Sequence, residues 1–375
     1  MQLKIIKERG LKQMEHVNEL LTYQIANNYM TLSDGFNKLE SIVIRKDILL
    51  FLQYHRIQMI FWSLYKKGRM NFLSVTNEVQ EALILQEQIQ KSNAIKQQEI
   101  AGTISDLFIV EGIDHVFLKG LPLSLTIYQD AWHRLYQDID VLVPREQARQ
   151  AAKLLMRTLG YQYGGISESG ILYAASKEDI LYQELHTHEL YNLAKWYPPS
   201  FVSNIDINFR FQWQGLRVSM DNNIPYDVIR SHIIEQNGIR MLDPSFQFIH
   251  LCCHLYNETV YFALDRDYSD AHSDGASQVI LLFRLFDLLL LSTTALEPSL
   301  IINICNQYDI TYKVQYALGL CEILFDAGIV SRLLDMFPML HCLPQSAFEF
   351  YYDKHEMRQK WPVGLVSRVY APSIK

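Results

Sequence analysis

A chain of 375 residues exceeds one ordinary core and suggests two or three packed units of roughly 100–150 residues. Hydrophobic content of 49% with 20% charged residues excludes a disordered chain. The net charge of −7 gives no overall bias toward nucleic acid or anionic membranes, although a local basic groove is compatible with it.

The N-terminal part, residues 1–112, reads as helical. Asp47 to Trp62 clusters apolar residues ahead of Gly68. From Asn77 to Glu111, Val79, Leu83, Ile89, Ile100, Ile104, Leu107 and Phe108 are spaced for one long helix that Gly112 stops. The pattern then changes. His115 to Leu118 is a short apolar run ending in Lys119-Gly120, and Leu121 to Gln129 fits a short helix. Asp138 to Val143 alternates as a strand does. Pro144 opens a helix with Ala148, Ala152, Leu155 and Leu159 on one side, closed by Gly160. Ile171 to Ala174, Leu181 to Leu190 and Asn204 to Gln212 read as further strands. After Pro225 the chain reads as helical again, with segments over 245–262, 279–291 and 299–352, and 269–277 reads as a polar loop. This order predicts an α+β fold: a mixed sheet with helices packed on it over 113–225, an N-terminal helical region at 1–112 and a C-terminal helical domain at 226–375.

Cysteines 252, 253, 305, 321 and 342 are odd in number and lack C-x-x-C spacing, which predicts free thiols in a reducing compartment. The first residues have no apolar signal-peptide core. The most apolar run, Val279 to Leu291, is short and contains Arg284 and Asp287. A cytoplasmic protein with no membrane partner is the expectation.

Residues two apart on a strand share a face, so Asp138 and Asp140 project together while Ile139 and Val141 enter a core. Paired carboxylates repel, and a divalent cation resolves the repulsion. Hard oxygen ligands favour Mg²⁺ held by carboxylates and substrate phosphates. A D-x-D alone is common, and two solvated strand-end carboxylates are the bland reading. Context favours the metal. Lys119-Gly120 ends the preceding strand, a glycine there lets backbone N–H groups approach a phosphate, and Arg134 lies four residues before Asp138. A third carboxylate, Asp206, shares a polar face with Asn204, Asn208 and Arg210, opposite Ile205, Ile207, Phe209 and Phe211. If that strand neighbours the Asp138 strand, the three carboxylates converge.

The stretch Val116-Phe-Leu-Lys-Gly, followed by Arg134-Leu-Tyr-Gln-Asp-Ile-Asp-Val-Leu-Val, resembles the bacterial uncharacterised nucleotidyltransferase family of the polymerase-β-type superfamily. Asn204-Ile-Asp-Ile-Asn is similar to that family's later strand with a third Asp. Leu242 to His254 and Phe283 to Leu290 are similar to two of its helices, so the likeness covers about residues 80–295. Asn208 stands where the family usually has His, Gly120-Leu121 where the superfamily has Gly-Ser, and Gln137 where Ser or Gly is usual.

The resemblance implies Mg²⁺-dependent transfer of a nucleoside monophosphate from an NTP, with ATP the expected donor, to a hydroxyl of a small molecule, releasing pyrophosphate. It implies Asp138, Asp140 and Asp206 as catalytic residues and ligands of two Mg²⁺ ions, with Lys119, Gly120 and Arg134 binding the nucleotide's phosphates. A protein acceptor, as in antitoxin-type adenylyltransferases, and an inactive nucleotide-binding scaffold are the alternatives; the acidic charge speaks against extension of RNA. The sequence sets no oligomeric state. Glu184, His186 and His188 read as one face of a strand that lines the cleft or is simply solvated, and His254 and Asp287 as buried polar groups on apolar helices that pair with each other. Tyr191, Trp196, Tyr197 and Trp213 are candidates for stacking on a base or acceptor, with packing the commoner role for such residues.

Overall fold

In a computed structural model the described residues are 2–30, 42–70, 73–167, 171–198, 201–212, 223–260, 280–338, 340, 343–352, 357–361 and 364–370. In chain order the elements are α1 (Gln2–Tyr29), β1 (Ile42–Ile44), α2 (Lys46–Tyr54), α3 (Gln58–Lys66), β2 (Leu73–Val75), α4 (Asn77–Val110), β3 (Val116–Leu118) and α5 (Gly120–Thr126). There follow β4 (Asp138–Leu142), α6 (Arg145–Leu154), β5 (Gln162–Ile166), β6 (Leu172–Ala174), α7 (Lys177–His186), β7 (Leu193–Tyr197) and β8 (Phe201–Asn208). The rest are α8 (Tyr226–Arg230), β9 (Ile233–Gln236), β10 (Ile239–Leu242), α9 (Pro244–Val260), α10 (Leu282–Leu291), α11 (Pro298–Gln307), α12 (Thr311–Leu324), α13 (Ala327–Asp335), β11 (Phe350–Tyr352), β12 (Arg358–Lys360) and α14 (Leu365–Tyr370). Among the described residues no helix is long and apolar enough to cross a membrane.

The chain divides into two compact units: residues 1–89, 254–294 and 311–375 form one, and residues 90–253 with 295–310 form the other. The first is mainly helical. Its buried polar groups are tied over long sequence distances. Asn18 Nδ2 donates to the Tyr370 carbonyl at 2.9 Å. His55 Nδ1 accepts from the Leu282 N–H at 3.2 Å, so the ring proton is on Nε2, which donates to the Val369 carbonyl at 2.8 Å. Burial pushes this histidine down to about 3, so it stays neutral. Glu87 accepts from Trp62 Nε1 at 2.7 Å and from Lys66 Nζ at 2.6 Å.

The second unit holds an eight-stranded sheet in the order β6-β5-β7-β8-β4-β3-β10-β9. The β4–β8 and β3–β10 pairs are parallel and the other neighbours antiparallel, so the sheet is mixed. The α+β class expected from the element order is therefore the one found. Ile139, Val141, Ile205, Ile207, Phe117 and Leu193 fill one side, packed with Ile100, Ile104 and Phe108 of α4 and Ala148, Ala151 and Ala152 of α6. The long helix ends where its glycine predicts. Gly112 takes φ 68°, and the Ile113 N–H reaches back to the Phe108 carbonyl at 2.8 Å, closing the last turn. Pro144 precedes α6, which passes into a wider turn over Leu155–Leu159 and stops at Gly160, φ 74°.

Several expectations need correction. Residues 181–190 are not a strand: most of them belong to α7. Ser176 caps that helix by accepting from the Asp179 N–H at 3.0 Å, a Ser-x-x-Asp start signal. None of its side chains is buried, so no apolar stripe marked it as helical. The helical reading after Pro225 misses the β9–β10 hairpin, which extends the sheet. The segment from Asp47 to Trp62 is two helices, broken where Arg56 takes φ 56°. Cys252, Cys253, Cys305 and Cys321 are buried free thiols, as expected; Cys342 and the loop read at 269–277 lie outside the described residues.

Candidate functional site

β8 does neighbour β4. In their parallel register Asp138 lies beside Asn204, Asp140 beside Asp206 and Leu142 beside Asn208. The alternation that buries Ile139, Val141, Ile205 and Ile207 therefore sends Asp138, Asp140, Asn204, Asp206 and Asn208 to the opposite face. One carboxylate oxygen each from Asp138, Asp140 and Asp206 lies within 4.8 Å of the others.

Asp140 is buried, with 4% of its surface exposed. Lys119 Nζ lies 2.8 Å from its Oδ1, and Asn208 Nδ2 donates to the same oxygen at 3.4 Å. Burial nevertheless pushes the carboxyl up to about 6, with Asp138 adding repulsion and Lys119 opposing both. Asp206 is raised well above the usual carboxylate range, first by burial, then by the negative charges of Glu189, Asp138 and Asp140. Carboxylates held so close, with Asp140 buried and Asp138 and Asp206 half-buried, are the donor set that suits a hard divalent cation.

The geometry explains Lys119-Gly120. Lys119 follows β3, whose Leu118 pairs with Asp140, and takes φ 51°, a conformation few non-glycine residues adopt. That turn carries its ammonium to Asp140. A Cβ on Gly120 would stand 2.7 Å from both Cβ and Cγ of Tyr136, so the glycine admits the tyrosine ring against α5. Arg134 is buried and its Nη1 donates to the Leu135 carbonyl at 2.6 Å.

Residues that sequence reasoning passed over also sit here. Glu189 pairs across to Asn208 in an isolated antiparallel bridge, beside the carboxylate face. Its Oε1 accepts from Gln183 Nε2 at 3.0 Å, and His188 Nε2 lies 3.5 Å from its Oε2. The misassigned strand hid this: with Glu184 and His186 on α7, His188 and Glu189 belong to the segment that leads from α7 into β7 and bridges to the end of β8. Glu184 instead accepts from Arg149 on α6. Burial and the Lys119 charge hold His188 and His250 well below the usual imidazole range, so both are neutral. His250 Nδ1 donates to the Phe211 carbonyl at 3.0 Å. His254, in the other unit, meets Glu258 at 3.3 Å. Of the aromatic candidates, Tyr197 lies on the core side under Lys195, 4.4 Å from its ring centre, and Trp196 lies on the carboxylate side; Trp213 is outside the described residues.

The family described as uncharacterised nucleotidyltransferase matches residues 46–326, well over half of the chain. The chain belongs to that family. The nucleotidyltransferase match begins in α2 and ends beyond α12, so it takes in the whole eight-stranded sheet and all three aspartates. No curated protein matches the chain. Among solved structures, an antigenic nucleotidyltransferase-like protein from Paracoccidioides brasiliensis is similar, at 10% identity and a TM-score of 0.29, covering 58% of this chain and 91% of that one. A likeness that loose carries no argument here.

Proposed function

We propose that this protein is a Mg²⁺-dependent nucleotidyltransferase of the polymerase-β type, moving a nucleoside monophosphate from an NTP to a hydroxyl of a small molecule. ATP is the donor expected. The observation that carries the reading is the convergence of Asp138, Asp140 and Asp206 within 4.8 Å on one face of adjacent parallel strands.

In this reading the hydroxyl oxygen of the acceptor attacks the α-phosphorus, the bond to the bridging oxygen of the β-phosphate breaks, and pyrophosphate leaves. Asp138, Asp140 and Asp206 would hold the cations. Two divalent ions, when bound, supply the positive charge that stabilises the entering and leaving oxygens. The Asp206 carboxylate orients the acceptor hydroxyl and takes its proton. Lys119, 2.8 Å from Asp140, would add its charge to the phosphate contacts. Gly120 offers its N–H beside Lys119, and Arg134, four residues ahead of Asp138, completes the proposed phosphate contacts. The buried free thiols fit a cytoplasmic setting.

The test is calorimetry of Mg·ATP binding to the wild type and to an Asp138→Ala/Asp140→Ala variant. The variant is expected to stay folded and lose Mg²⁺-dependent binding; retention of wild-type affinity would remove the metal assignment. Pyrophosphate release is then measured with a panel of hydroxyl compounds. Tight binding with no release for any acceptor would favour a binding module, and a nucleotide adduct on a co-purified protein would move the acceptor from small molecule to polypeptide.

A further inference from the structure

The register of β7 and β8 extends the carboxylate face beyond the three aspartates. Ala194 pairs with Asn204 and Trp196 with Val202, so Trp196 projects from the same side as Asn204 and Asp206. Its neighbours in sequence, Lys195 and Tyr197, turn the other way: Lys195 Nζ donates to the Leu159 carbonyl at 2.5 Å and covers the rings of Tyr161 and Tyr197. Trp196 therefore leaves the core packing to its neighbours and remains 40% exposed, a large aromatic surface held on a strand that at this position pairs with β8 alone. An exposed indole at this place is not needed by the core.

Asn204 stands between this residue and the metal-binding cluster. It lies beside Asp138 on β4, and its Oδ1 accepts from Asn192 Nδ2 at 3.2 Å; Asn192 Nδ2 also donates to the Gly164 carbonyl at 2.9 Å. With the oxygen engaged, the amide orientation of Asn204 is fixed and its Nδ2 is the end left to donate. Sheet geometry gives the scale. Two strand steps of about 4.8 Å and two residues of about 3.3 Å separate Trp196 from Asp138, roughly 12 Å between Cα atoms before the indole's own reach. A ribose spans the remaining gap between a phosphorus at the cluster and a ring on Trp196.

We propose that the NTP lies across β4, β8 and β7, its base stacked on Trp196 and an oxygen of its sugar accepting from Asn204 Nδ2. The proposal rests on the nucleotidyltransferase reading and adds the nucleoside half of the donor site to the phosphate half. Stacking on one indole face tolerates any base, so Trp196 fixes where the base lies and leaves the choice among nucleotides to the groups around its edge.

The experiment compares the wild type, Trp196→Ala and Trp196→Phe by calorimetry with two probes, Mg·ATP and Mg·tripolyphosphate, the second having no base or sugar. Trp196→Ala is expected to weaken Mg·ATP about tenfold or more and leave Mg·tripolyphosphate unchanged, and Trp196→Phe to keep most of the wild-type affinity. Unchanged Mg·ATP affinity in Trp196→Ala, with tripolyphosphate still bound, overturns the stacking role and leaves the transfer reading intact. Equal weakening of both probes overturns it too, because the effect is then on the fold of the site. A wild type that binds neither probe overturns the transfer reading and this proposal together. Unchanged Mg·ATP affinity with reduced acceptor-dependent pyrophosphate release assigns Trp196 to the acceptor instead.

Discussion

Asp140 is under opposing demands at the scale of the single residue. It is buried, repelled by Asp138 and drawn to Lys119, and the sum leaves its carboxyl near 6, above the ordinary 3.8. The folded protein therefore binds this proton more tightly than the unfolded chain does. That contribution to stability is complete below about 4 and is lost as the pH rises through about 6, at up to about 1.4 kcal/mol per pH unit across the window. Protein kept free of divalent metal with a chelator is expected to melt at a lower temperature at pH 7.5 than at pH 5. Asp206→Asn removes one of the repelling charges and should raise the melting temperature of the chelated protein at pH 7.5, while abolishing pyrophosphate release. A chelated variant that melts with or below the wild type would show that the carboxylates carry no such strain.

At the scale of the element, the junction of β3 and α5 is the most constrained. Lys119 holds a positive φ of 51°, and Gly120 leaves no room for a side chain against Tyr136. Gly120→Ala is expected to cost about 1–3 kcal/mol, read as a lower urea midpoint, because backbone or a buried ring must move. A midpoint equal to the wild type's would mean that α5 shifts freely. The same scale shows why some elements were legible in the sequence and others were not. β4 announces itself because Ile139 and Val141 alternate with two carboxylates, and α6 because Pro144 and Gly160 bracket an alanine stripe. β8 is legible for the same period-two reason, and its register against β4 turns three separated aspartates into one cluster. β5 and β7 lack that signal: Gln162-Tyr-Gly-Gly-Ile contains two glycines, and Leu193-Ala-Lys-Trp-Tyr alternates with a lysine on the core side. Their pairing is set by partners far along the chain. α7 was unreadable because none of its residues is buried, and with it went the position of Glu189, the carboxylate whose charge weighs most among those raising Asp206.

For the whole molecule, a cation held at the cluster, as proposed, would link ligand binding to folding. A ligand at a hundred times its dissociation constant stabilises the folded state by about 2.7 kcal/mol when the unfolded chain does not bind it. Addition of Mg²⁺ with ATP to chelator-treated protein is expected to raise the melting temperature, and the Asp138→Ala/Asp140→Ala variant to show no such rise. A rise of equal size in the variant would place the stabilising site elsewhere.

The mainly helical unit gathers three separate stretches of chain, and one of its buried contacts joins Asn18 to the carbonyl of Tyr370. That contact has a consequence for synthesis. In a chain made from its N-terminus, Asn18 and His55 lack these carbonyl partners until α14 leaves the ribosome, although α1 can already pack on α3. Every strand of the eight-stranded sheet has emerged by residue 242. The sheet that bears the three aspartates can therefore assemble first, and the helical unit gains these contacts only once α14 has been made.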